Sequence, residues 1–455
     1  MKVLLLNQSD SSGGAARAAY RLHQGLQRHG VTTQMLVQHK LKDDPTVIAP
    51  KGRWQESVAH LRFAIDALPL KAYPQRDRTP FSIQWLPSRL AAHVRAIAPD
   101  VVNLHWLSEA FVPVQALRSL NRPLVMTLHD MWAFTGGCHY TQGCDRFLSA
   151  CGRCPQLKSD READLSRWTW QRKAKYWKDL DLTIVALSHW MAAMARASPL
   201  LQPYPIRLIP NGLDLQVYRP IERQLARRLL NLPPDQKLVL FGALQATSDP
   251  RKGFHLLQAA LHHLQEMGWR SHLSLGVLGA LPPPHPLNLG FETHYLGTLT
   301  DDLMLVLAYA AADVFVLPST QENLANTVME ALACGTPSVA FHIGGMPDLI
   351  DHQINGYLAA PFSTQDLAAG IAWVLEQGDR HQQLSHQARF KAEQTFSLEQ
   401  QAQQYLALFQ EVQSRSAGEH RHQHAVPEAT PLGRPQIGCA GHGQHDSNTP
   451  KPRDR

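Results

Sequence analysis

Short runs of apolar residues recur along the chain, and each is followed by a turn of small residues and then by a helical pattern. A first series comprises the segments VLLLN, VTTQMLV, VVNLHW, LVMTLHD and TIVALS. A second series comprises IRLIPNG, LVLFGA, HLSLGVLG, DVFVLPS and SVAFH. Runs that are apolar on both faces are typical of parallel strands covered by helices, and strands that alternate with helices indicate βαβ units. The pattern predicts an α/β fold with doubly wound sheets.

The composition of the sequence changes between the two series. Residues 199–235 contain several prolines, the turn Asn211-Gly212 and a charged helix predicted over 221–231, and LVLFGA then opens a new βα unit. The prediction is a Rossmann-like amino-terminal domain over 1–205 and a second Rossmann-like domain over 206–396. The two domains are expected to face each other across a cleft.

Two segments follow the second domain. A capping box at Ser397–Gln400 begins an amphipathic helix over 397–415, which we expect to pack back on the first domain. Residues 416–455 are rich in proline, glycine, histidine and charged side chains. Because such a composition offers almost no apolar surface to bury, this tail is predicted to be disordered.

Composition narrows the class of protein without choosing a partner. With 455 residues, 44% hydrophobic and 18% charged, the chain is neither a coiled coil nor a collagen. The formal charge of +6 suits an anionic ligand, a nucleic acid or an anionic membrane surface equally well. The apolar stretch Val3–Leu6 is too short for a signal peptide, so we expect a cytoplasmic protein, with a peripheral position on the inner face of the plasma membrane as the alternative.

A polar loop followed by a predicted helix lies in 320–336, which reads TQENLANTVMEALACGT and follows the predicted strand DVFVLPS. In an open parallel sheet, ligands bind beyond the carboxyl ends of the strands, and the helix predicted from about Asn326 would present free N–H groups to a phosphate there. Glu330 lies one turn into this helix and Glu322 lies in the preceding loop. A carboxylate accepts hydrogen bonds from sugar hydroxyls. Taken alone, each glutamate also fits an ordinary surface charge.

Three other loops are placed at strand ends. Arg251 and Lys252 follow LVLFGA and could neutralise a diphosphate leaving group, although a solvated basic turn explains the same pair. The loop with Gly13-Gly14 follows the first strand and lets backbone approach a ligand closely. His129 follows LVMTL and could bond a sugar hydroxyl, or could simply be satisfied by Asp130.

The spacing of Glu322, seven residues and Glu330 resembles the E-x7-E signature of retaining family 4 glycosyltransferases of the GT-B type. Four more segments resemble motifs of that family: Ile209–Asp214, Asp249–Gly253, Gly344–Asp348 and Asn355–Tyr357. The resemblance runs in order from Met1 to about Ser414. Two positions depart from the pattern, since Asp348 stands where Glu is usual and Gly242-Ala243-Leu244 stands where many relatives have G-R-L.

The resemblance implies a nucleotide-sugar donor, transfer to an acceptor hydroxyl with retention, and no catalytic metal. It implies that Glu330 holds the ribose, that Glu322 and His129 orient the sugar, and that Arg251 and Lys252 face the diphosphate. The catalytic residues that it implies are Glu322, His129, Arg251 and Lys252. The donor-binding residues that it implies are Gly13, Gly14, Arg251, Lys252, Asn323, Leu324, Ala325, Asn326, Thr327 and Glu330.

Four of the six cysteines are concentrated in the loop 136–155, at Cys138, Cys144, Cys151 and Cys154. Such crowding suits a structural tetrahedral zinc site. Only the second pair has the tight C-x2-C spacing, and His139 is an alternative ligand. Free or redox-paired thiols and an iron–sulfur cluster are the other interpretations. The loop directly follows the strand that carries His129, so it is expected to shape the acceptor side of the cleft.

The segment 167–178 alternates aromatic and basic residues, which suits either peripheral contact with an anionic membrane or a partly buried helix with a solvated basic face. The run HDMWAFTGGCHYTQGCDRFLSACGRCPQL resembles transferases of bacterial exopolysaccharide and colanic-acid-type assembly, which implies a lipid-linked or oligosaccharide acceptor. Two competing functions are a nucleotide-sugar epimerase on the same scaffold and a zinc-containing nucleic-acid-binding protein. No motif typical of nucleic-acid binding is present, so we expect no such partner.

Overall fold

Two parallel β-sheets organise the protein in the computed structural model, which describes residues 1–49, 53–242, 249–282, 289–376 and 379–424. The strands of the first sheet are β1 (Lys2–Ser9), β2 (Thr32–His39), β3 (Val47–Ile48), β4 (Val101–Leu104), β5 (Leu124–Leu128), β6 (Leu182–Ala186) and β7 (Ile206–Leu208). Those of the second are β8 (Lys237–Gly242), β9 (Leu273–Leu278), β10 (Glu292–Gly297), β11 (Val314–Leu317), β12 (Ser338–Phe341) and β13 (Gly356–Ala359). The order is β3-β2-β1-β4-β5-β6-β7 in the first and β10-β9-β8-β11-β12-β13 in the second.

Helices connect the strands and cover both faces of each sheet. They are α1 (Gly14–Arg28), α2 (Arg53–Asp66), α3 (Leu90–Ile97), α4 (Leu165–Trp177), α5 (His189–Ala197), α6 (Arg223–Leu229), α7 (Phe254–Glu266), α8 (Asp302–Ala311), α9 (Asn326–Ala333), α10 (Met346–Leu349), α11 (Thr364–Leu375), α12 (Asp379–Thr395) and α13 (Leu398–His424). Short 3₁₀ turns occur at Leu68–Ala72, Val114–Ser119, Trp132–Phe134, Arg146–Ser149 and Pro250–Lys252.

The continuous apolar runs are explained by burial on both sides of each sheet. Successive side chains of a strand point to opposite faces, so Val3 and Leu5 of β1 join one apolar cluster while Leu4 and Leu6 join another. The second sheet repeats this arrangement, with alternate residues of β8 divided between two clusters. The predicted α/β architecture of two doubly wound parallel sheets is confirmed.

The boundary between the two sheets differs from the prediction at residue 206. The sequence pattern places IRLIPNG in the second series, but β7 pairs in parallel with β6 and therefore completes the first sheet. Ile209 continues this edge by donating its backbone N–H to the carbonyl of Ala186 at 3.1 Å. The prolines that suggest a restart flank this strand without interrupting its pairing, because β7 is an edge strand, where proline is tolerated.

The last helix, α13, returns to the first sheet. Tyr405, Phe409 and Val412 are buried in the same cluster as Val3 and Leu5. The hydroxyls of Tyr405 and Thr127 lie 2.8 Å apart. The helix continues to His424, beyond the predicted end at 415, and the part of the predicted disordered tail from 425 onward lies outside the described residues.

Candidate active site

Loops at the carboxyl ends of the strands bring the two halves of the chain into contact. The side-chain amide of Asn326, at the start of α9, donates to the carbonyl of Gly14 at 2.9 Å. The amide of Asn323 donates to the carbonyl of Leu128 at 2.8 Å, at the end of β5. This is the edge at which open α/β sheets bind ligands, and most of the predicted donor-binding residues lie along it.

Glu322 is the centre of a buried charged cluster at this edge. Its Oε1 accepts from Lys252 Nζ at 2.5 Å, from Arg251 Nη1 at 3.0 Å and from the Ser319 hydroxyl at 3.1 Å. Burial by itself would raise the pKa of Glu322, but Lys252 and Arg251 outweigh burial and lower that pKa to about 2. The carboxylate is therefore ionised. The predicted basic loop and the first glutamate of E-x7-E form one unit, in which Arg251 and Lys252 are paired with Glu322 and Asp249.

The backbone of the basic loop is fixed by local contacts. The carboxylate of Asp249 accepts the N–H of Arg251 at 2.9 Å, which caps the 3₁₀ turn Pro250–Lys252. Gly253 then adopts φ 71°, and a Cβ there would lie 1.8 Å from the carbonyl oxygen of Pro318. Glycine is required because the turn combines a left-handed conformation with close backbone contact. The neighbouring segment 243–248, which contains most of the G-A-L departure, lies outside the described residues.

Arg251 also contacts the cysteine-rich loop. Its guanidinium carbon lies 4.6 Å from the centroid of the Tyr140 ring, a cation–π geometry. Two residues further on, the N–H of Gln142 donates to the side chain of Gln321 at 3.0 Å. The cysteine-rich loop thus lies against both the basic turn and the loop that carries Glu322.

Glu330 is buried, with 3% of its surface exposed, and both carboxylate oxygens have a partner. Arg21 Nη2 of α1 donates to Oε1 at 2.8 Å, and the hydroxyl of Tyr309 donates to Oε2 at 2.8 Å. The same Arg21 nitrogen donates to the hydroxyl of Tyr218 at 2.9 Å. No sequence motif marks Arg21, Tyr309 or Tyr218 as members of this group. Any ribose hydroxyls held by Glu330 must use the lone pairs that Arg21 and Tyr309 leave.

His129 belongs to a chain of buried hydrogen bonds that the sequence did not indicate. Its Nε2 lies 2.9 Å from His105 Nδ1, and His105 Nε2 lies 2.9 Å from the side-chain oxygen Oδ1 of Asn103. Burial lowers the pKa of His129 to about 4, against the opposing charge of Asp130. With both rings neutral, Asn103 fixes His105 Nε2 as a donor, so His105 Nδ1 accepts from His129 Nε2. His129 Nδ1 is then left as an acceptor nitrogen, able to receive a hydroxyl.

Asp130 does not satisfy His129, contrary to the simpler interpretation of this pair. Its carboxylate accepts from His139 Nδ1 at 2.6 Å, from the Trp106 indole at 2.8 Å and from the backbone N–H of Trp132 at 2.9 Å. Asp130 therefore organises the start of the cysteine-rich loop. His139, the alternative zinc ligand predicted from the sequence, is hydrogen-bonded to this carboxylate through Nδ1.

The remaining predicted donor-binding residues lie around the first turn of α9. Leu324 and Ala325 are buried at its start, and Ala325 is the N-cap residue without a side-chain cap. A Cβ on Gly14 would lie 3.4 Å from the Asn326 amide nitrogen, whereas one on Gly13 would meet nothing within 4 Å. Thr327 lies within the first turn of this helix. Because the first N–H groups of a helix lack intrahelical partners, this turn can receive a phosphate.

The four clustered cysteines line one cavity and all are free. In the described ranges, no three histidine, cysteine or carboxylate side chains already share the geometry of metal ligands.

The aromatic face of α4 is used by the core, which argues against the predicted membrane contact through 167–178. Trp177 and Lys173 are completely or almost completely buried, and Trp170 packs against the apolar cluster of the first sheet. Trp168 is exposed. None of the described helices is long and apolar enough to cross a bilayer.

Two family models match the two halves of the chain. Residues 12–217 match the model described as Glycosyltransferase Family 4, and residues 235–377 match the model described as Glycosyl transferases group 1. The two matched regions follow the two sheets, which together form a GT-B fold.

Curated relatives are similar to part of the chain. The D-inositol 3-phosphate glycosyltransferase of Saccharomonospora viridis is 31% identical over 229 residues, covering 48% of this chain and 52% of that protein. The enzyme of the same name from Mycolicibacterium smegmatis is 32% identical over 238 residues, covering 50% and 52%. The chain therefore spans about half the length of the curated relatives it matches.

Solved structures match nearly the whole chain at low sequence identity. Sucrose-phosphate synthase from Thermosynechococcus elongatus superposes with a TM-score of 0.64 at 20% identity, covering 91% of this chain and all of that chain. HepE of Anabaena, in complex with UDP and glucose, superposes with a TM-score of 0.59 at 20% identity, covering 90% and 99%. These likenesses establish the fold.

Proposed function

We propose that this protein is a glycosyltransferase that moves a hexose-type sugar from a nucleotide-sugar donor to an acceptor hydroxyl, with retention of configuration. The observation that carries the proposal is the ion-pair cluster of the buried Glu322 with the partly buried Arg251 and Lys252, beside the first turn of α9. The structure of the similar HepE with UDP and glucose supports a nucleotide-sugar donor.

The charges of the cluster suit a departing diphosphate. Two cations are paired with two carboxylates, Glu322 and Asp249, so the positive charge offered to a phosphate comes from the remaining N–H donors of Arg251 and Lys252 and from the partial positive end of α9. Negative charge develops on the phosphate as the glycosidic bond breaks, and preorganised cations stabilise that charge more in a buried site than in water. Arg251 and Lys252 can turn toward the phosphate without leaving Glu322, because each has further donors.

Two acceptor groups are available for the sugar hydroxyls. Glu322 is ionised and accepts only, and His129 offers an acceptor nitrogen through the Asn103–His105 chain. Together they fix hydroxyl orientation at two points of the transferred ring. In the proposed reaction the bond from the anomeric carbon to the phosphate oxygen breaks, the acceptor oxygen bonds to that carbon, and the acceptor proton passes to the departing phosphate oxygen. No protein base is required in this scheme.

For the acceptor we propose a lipid-linked or oligosaccharide hydroxyl in cell-surface polysaccharide assembly. The cysteine-rich run supports this choice through its resemblance to transferases of bacterial exopolysaccharide assembly, and it lies against the basic turn. The curated relatives named D-inositol 3-phosphate glycosyltransferases favour a second candidate, a phosphorylated polyol acceptor.

The experiment is donor turnover by the full chain. Purified protein is incubated with a panel of nucleotide sugars and either a cell-envelope extract or inositol 3-phosphate, and released nucleoside diphosphate is measured. We expect release with one donor, loss by at least 100-fold in Lys252→Met and Glu322→Gln, and wild-type turnover in Lys391→Met, whose amine pairs with Asp351. The anomeric configuration of the product, read by NMR, tests retention. Conversion of the nucleotide sugar to an isomer without acceptor would indicate an epimerase instead.

A further inference from the structure

The four cysteines of the loop 136–155 converge although they come from separate turns. Cys138, Cys144, Cys151 and Cys154 all line one cavity, of about 20 Å³. Such a volume holds about one water-sized particle, which suits a single ion. The chain closes on this cavity from an antiparallel bridge at Phe81–Cys138 on one side and from Ser166 of α4 on the other.

The second C-x2-C turn brings the Cys151 and Cys154 side chains to the same cavity. Two hydrogen bonds tie its backbone to the start of α4. The N–H of Cys154 donates to the carboxylate of Asp164 at 2.8 Å, and the N–H of Gly152 donates to the hydroxyl of Ser166 at 3.0 Å.

The same turn is held in a conformation that needs an external constraint. Ala150, Cys151 and Arg153 all have positive φ, at 71°, 58° and 45°. Each such residue costs on the order of 1–2 kcal/mol relative to an ordinary conformation. The apolar cluster beneath this turn has four buried members, Leu70, Ile83, Cys154 and Leu157. Phe134 and Phe147 of the segment between β5 and α4 belong instead to the larger core of the first sheet.

The charges around the cavity are complementary to an anionic centre. Lys173 of α4 is completely buried, and its ammonium donates to the carbonyls of Trp132 and Thr135. Arg167 donates to the carbonyl of Cys151 at 2.7 Å and Arg146 to that of Gly152 at 3.3 Å. Zinc with four thiolates carries two net negative charges. Lys173 and Arg146 would offset them, whereas Arg167 is already paired with Glu162.

We propose that Cys138, Cys144, Cys151 and Cys154 bind one structural zinc ion. Binding displaces the four thiol protons to solvent and forms four zinc–sulfur bonds, with no change of oxidation state. The sulfurs must draw inward to reach the ion, because no three of them already stand at ligand geometry in the described part of the chain.

The position of this site gives the ion a second consequence. Tyr140 lies between the first two cysteines and covers the Arg251 guanidinium, and Gln142 donates to Gln321. The zinc loop therefore determines where one wall of the proposed diphosphate site stands. This consequence rests on the proposed function, whereas the metal site itself does not.

Metal analysis of the purified full chain tests the site directly. We expect about one zinc per chain by mass spectrometry, less than 0.2 in Cys138→Ser and Cys154→Ser, and the full amount in Cys334→Ser, a buried cysteine of the other half. Because loss of the ion is itself expected to impair folding of the first two variants, an organomercurial titration of folded wild-type protein serves as the second measurement, and it should release about one zinc. Chains grown with cobalt should show sulfur-to-cobalt charge-transfer absorption.

Several outcomes would overturn the proposal: less than 0.1 zinc in active, folded wild-type protein, iron in place of zinc, or full zinc retention in both cysteine variants. If zinc is found and no donor is turned over, the metal site stands and the proposed function fails. If donor is turned over by protein without metal, the proposed function stands and the metal site fails.

Discussion

The guanidinium of Arg21 lies 2.8 Å from the carboxylate of Glu330, across 309 residues of sequence. Arg21 is 7% exposed and Glu330 is 3% exposed, so this ion pair between α1 and α9 is largely shielded from water. Tyr218 and Tyr309 add hydroxyl contacts to the same two side chains. The pair joins the amino-terminal half of the chain to the helix that carries the second glutamate of E-x7-E.

Replacing Arg21 by Met should destabilise the protein by about 3–5 kcal/mol, because a buried carboxylate is left without its cation. The matched control is Arg17→Met, whose partner Asp302 has a half-exposed side chain and whose loss should cost less than about 1 kcal/mol. Both free energies of unfolding are measured by urea denaturation. Equal losses in the free energy of unfolding for the two variants would show that the buried Arg21–Glu330 pair stabilises the fold no more than the exposed pair does.

The fold could be predicted from the sequence because burial on both faces leaves a direct record in it. A strand such as β1 must be apolar at consecutive positions, and β8 repeats this pattern after the break. The error at β7 has the same origin. Its pattern of one half-buried and two exposed residues belongs to a sheet edge, where apolar runs no longer report which sheet the strand joins.

The site was predictable only where it depends on local sequence. Glu322, Arg251 and Lys252 lie at strand ends, and strand ends of a parallel sheet meet at one edge whatever the details. The partners Arg21 and His105 could not be predicted, because their roles depend on which side chains tertiary packing places opposite them. Arg21 is one of three arginines on the amphipathic helix α1, and nothing local distinguishes it from a surface charge.

Acidification should destabilise the protein between about pH 6.5 and pH 4, through histidines that are neutral in the fold. Burial lowers the pKa of His23 to about 4, against the opposing charge of Asp44. The unfolded chain binds a proton at His23 near pH 6.5, so below that pH the unfolded state takes up more protons and the free energy of unfolding falls as pH falls. The decline ends near pH 4, where the folded ring is protonated too.

The measurement is urea denaturation at half-unit steps from pH 8 to pH 4. His23→Gln keeps a side chain able to bond Thr33 and Thr46, whose hydroxyls contact the ring, and should reduce the slope in this window. The exposed His93→Gln is the control and should leave the slope of the wild type unchanged. An identical slope in His23→Gln would rule out this residue as a source of the acid sensitivity.

Substitution of Gly253 by Ala should lower both the affinity for the donor and the stability of the fold. A Cβ at this position would lie 1.8 Å from the Pro318 carbonyl oxygen, so the turn that carries Arg251 and Lys252 has to move. Gly268→Ala is a matched control, since Gly268 has φ 88° and an added methyl group there would meet nothing within 4 Å.

Gly268→Ala should lower the free energy of unfolding by about 1–2 kcal/mol, the penalty of a left-handed conformation alone. Gly253→Ala should cost clearly more and should weaken nucleoside diphosphate binding at least tenfold, as measured by calorimetry. If the two alanine variants are equally stable and Gly253→Ala binds nucleotide normally, the turn does not depend on contact with Pro318.

The contact of Tyr140 with Arg251 yields a test of how far the cysteine-rich loop serves the diphosphate site. Tyr140→Leu removes the aromatic face over the guanidinium, a contact of about 0.5–2 kcal/mol, so nucleoside diphosphate affinity should fall about 2- to 30-fold. Tyr140→Phe keeps the face and loses only the hydroxyl, and its affinity should lie closer to that of the wild type. Zinc content should stay at one per chain in both variants, since neither removes a thiol. A Phe variant as weak as the Leu variant would assign the effect to the hydroxyl and not to the ring.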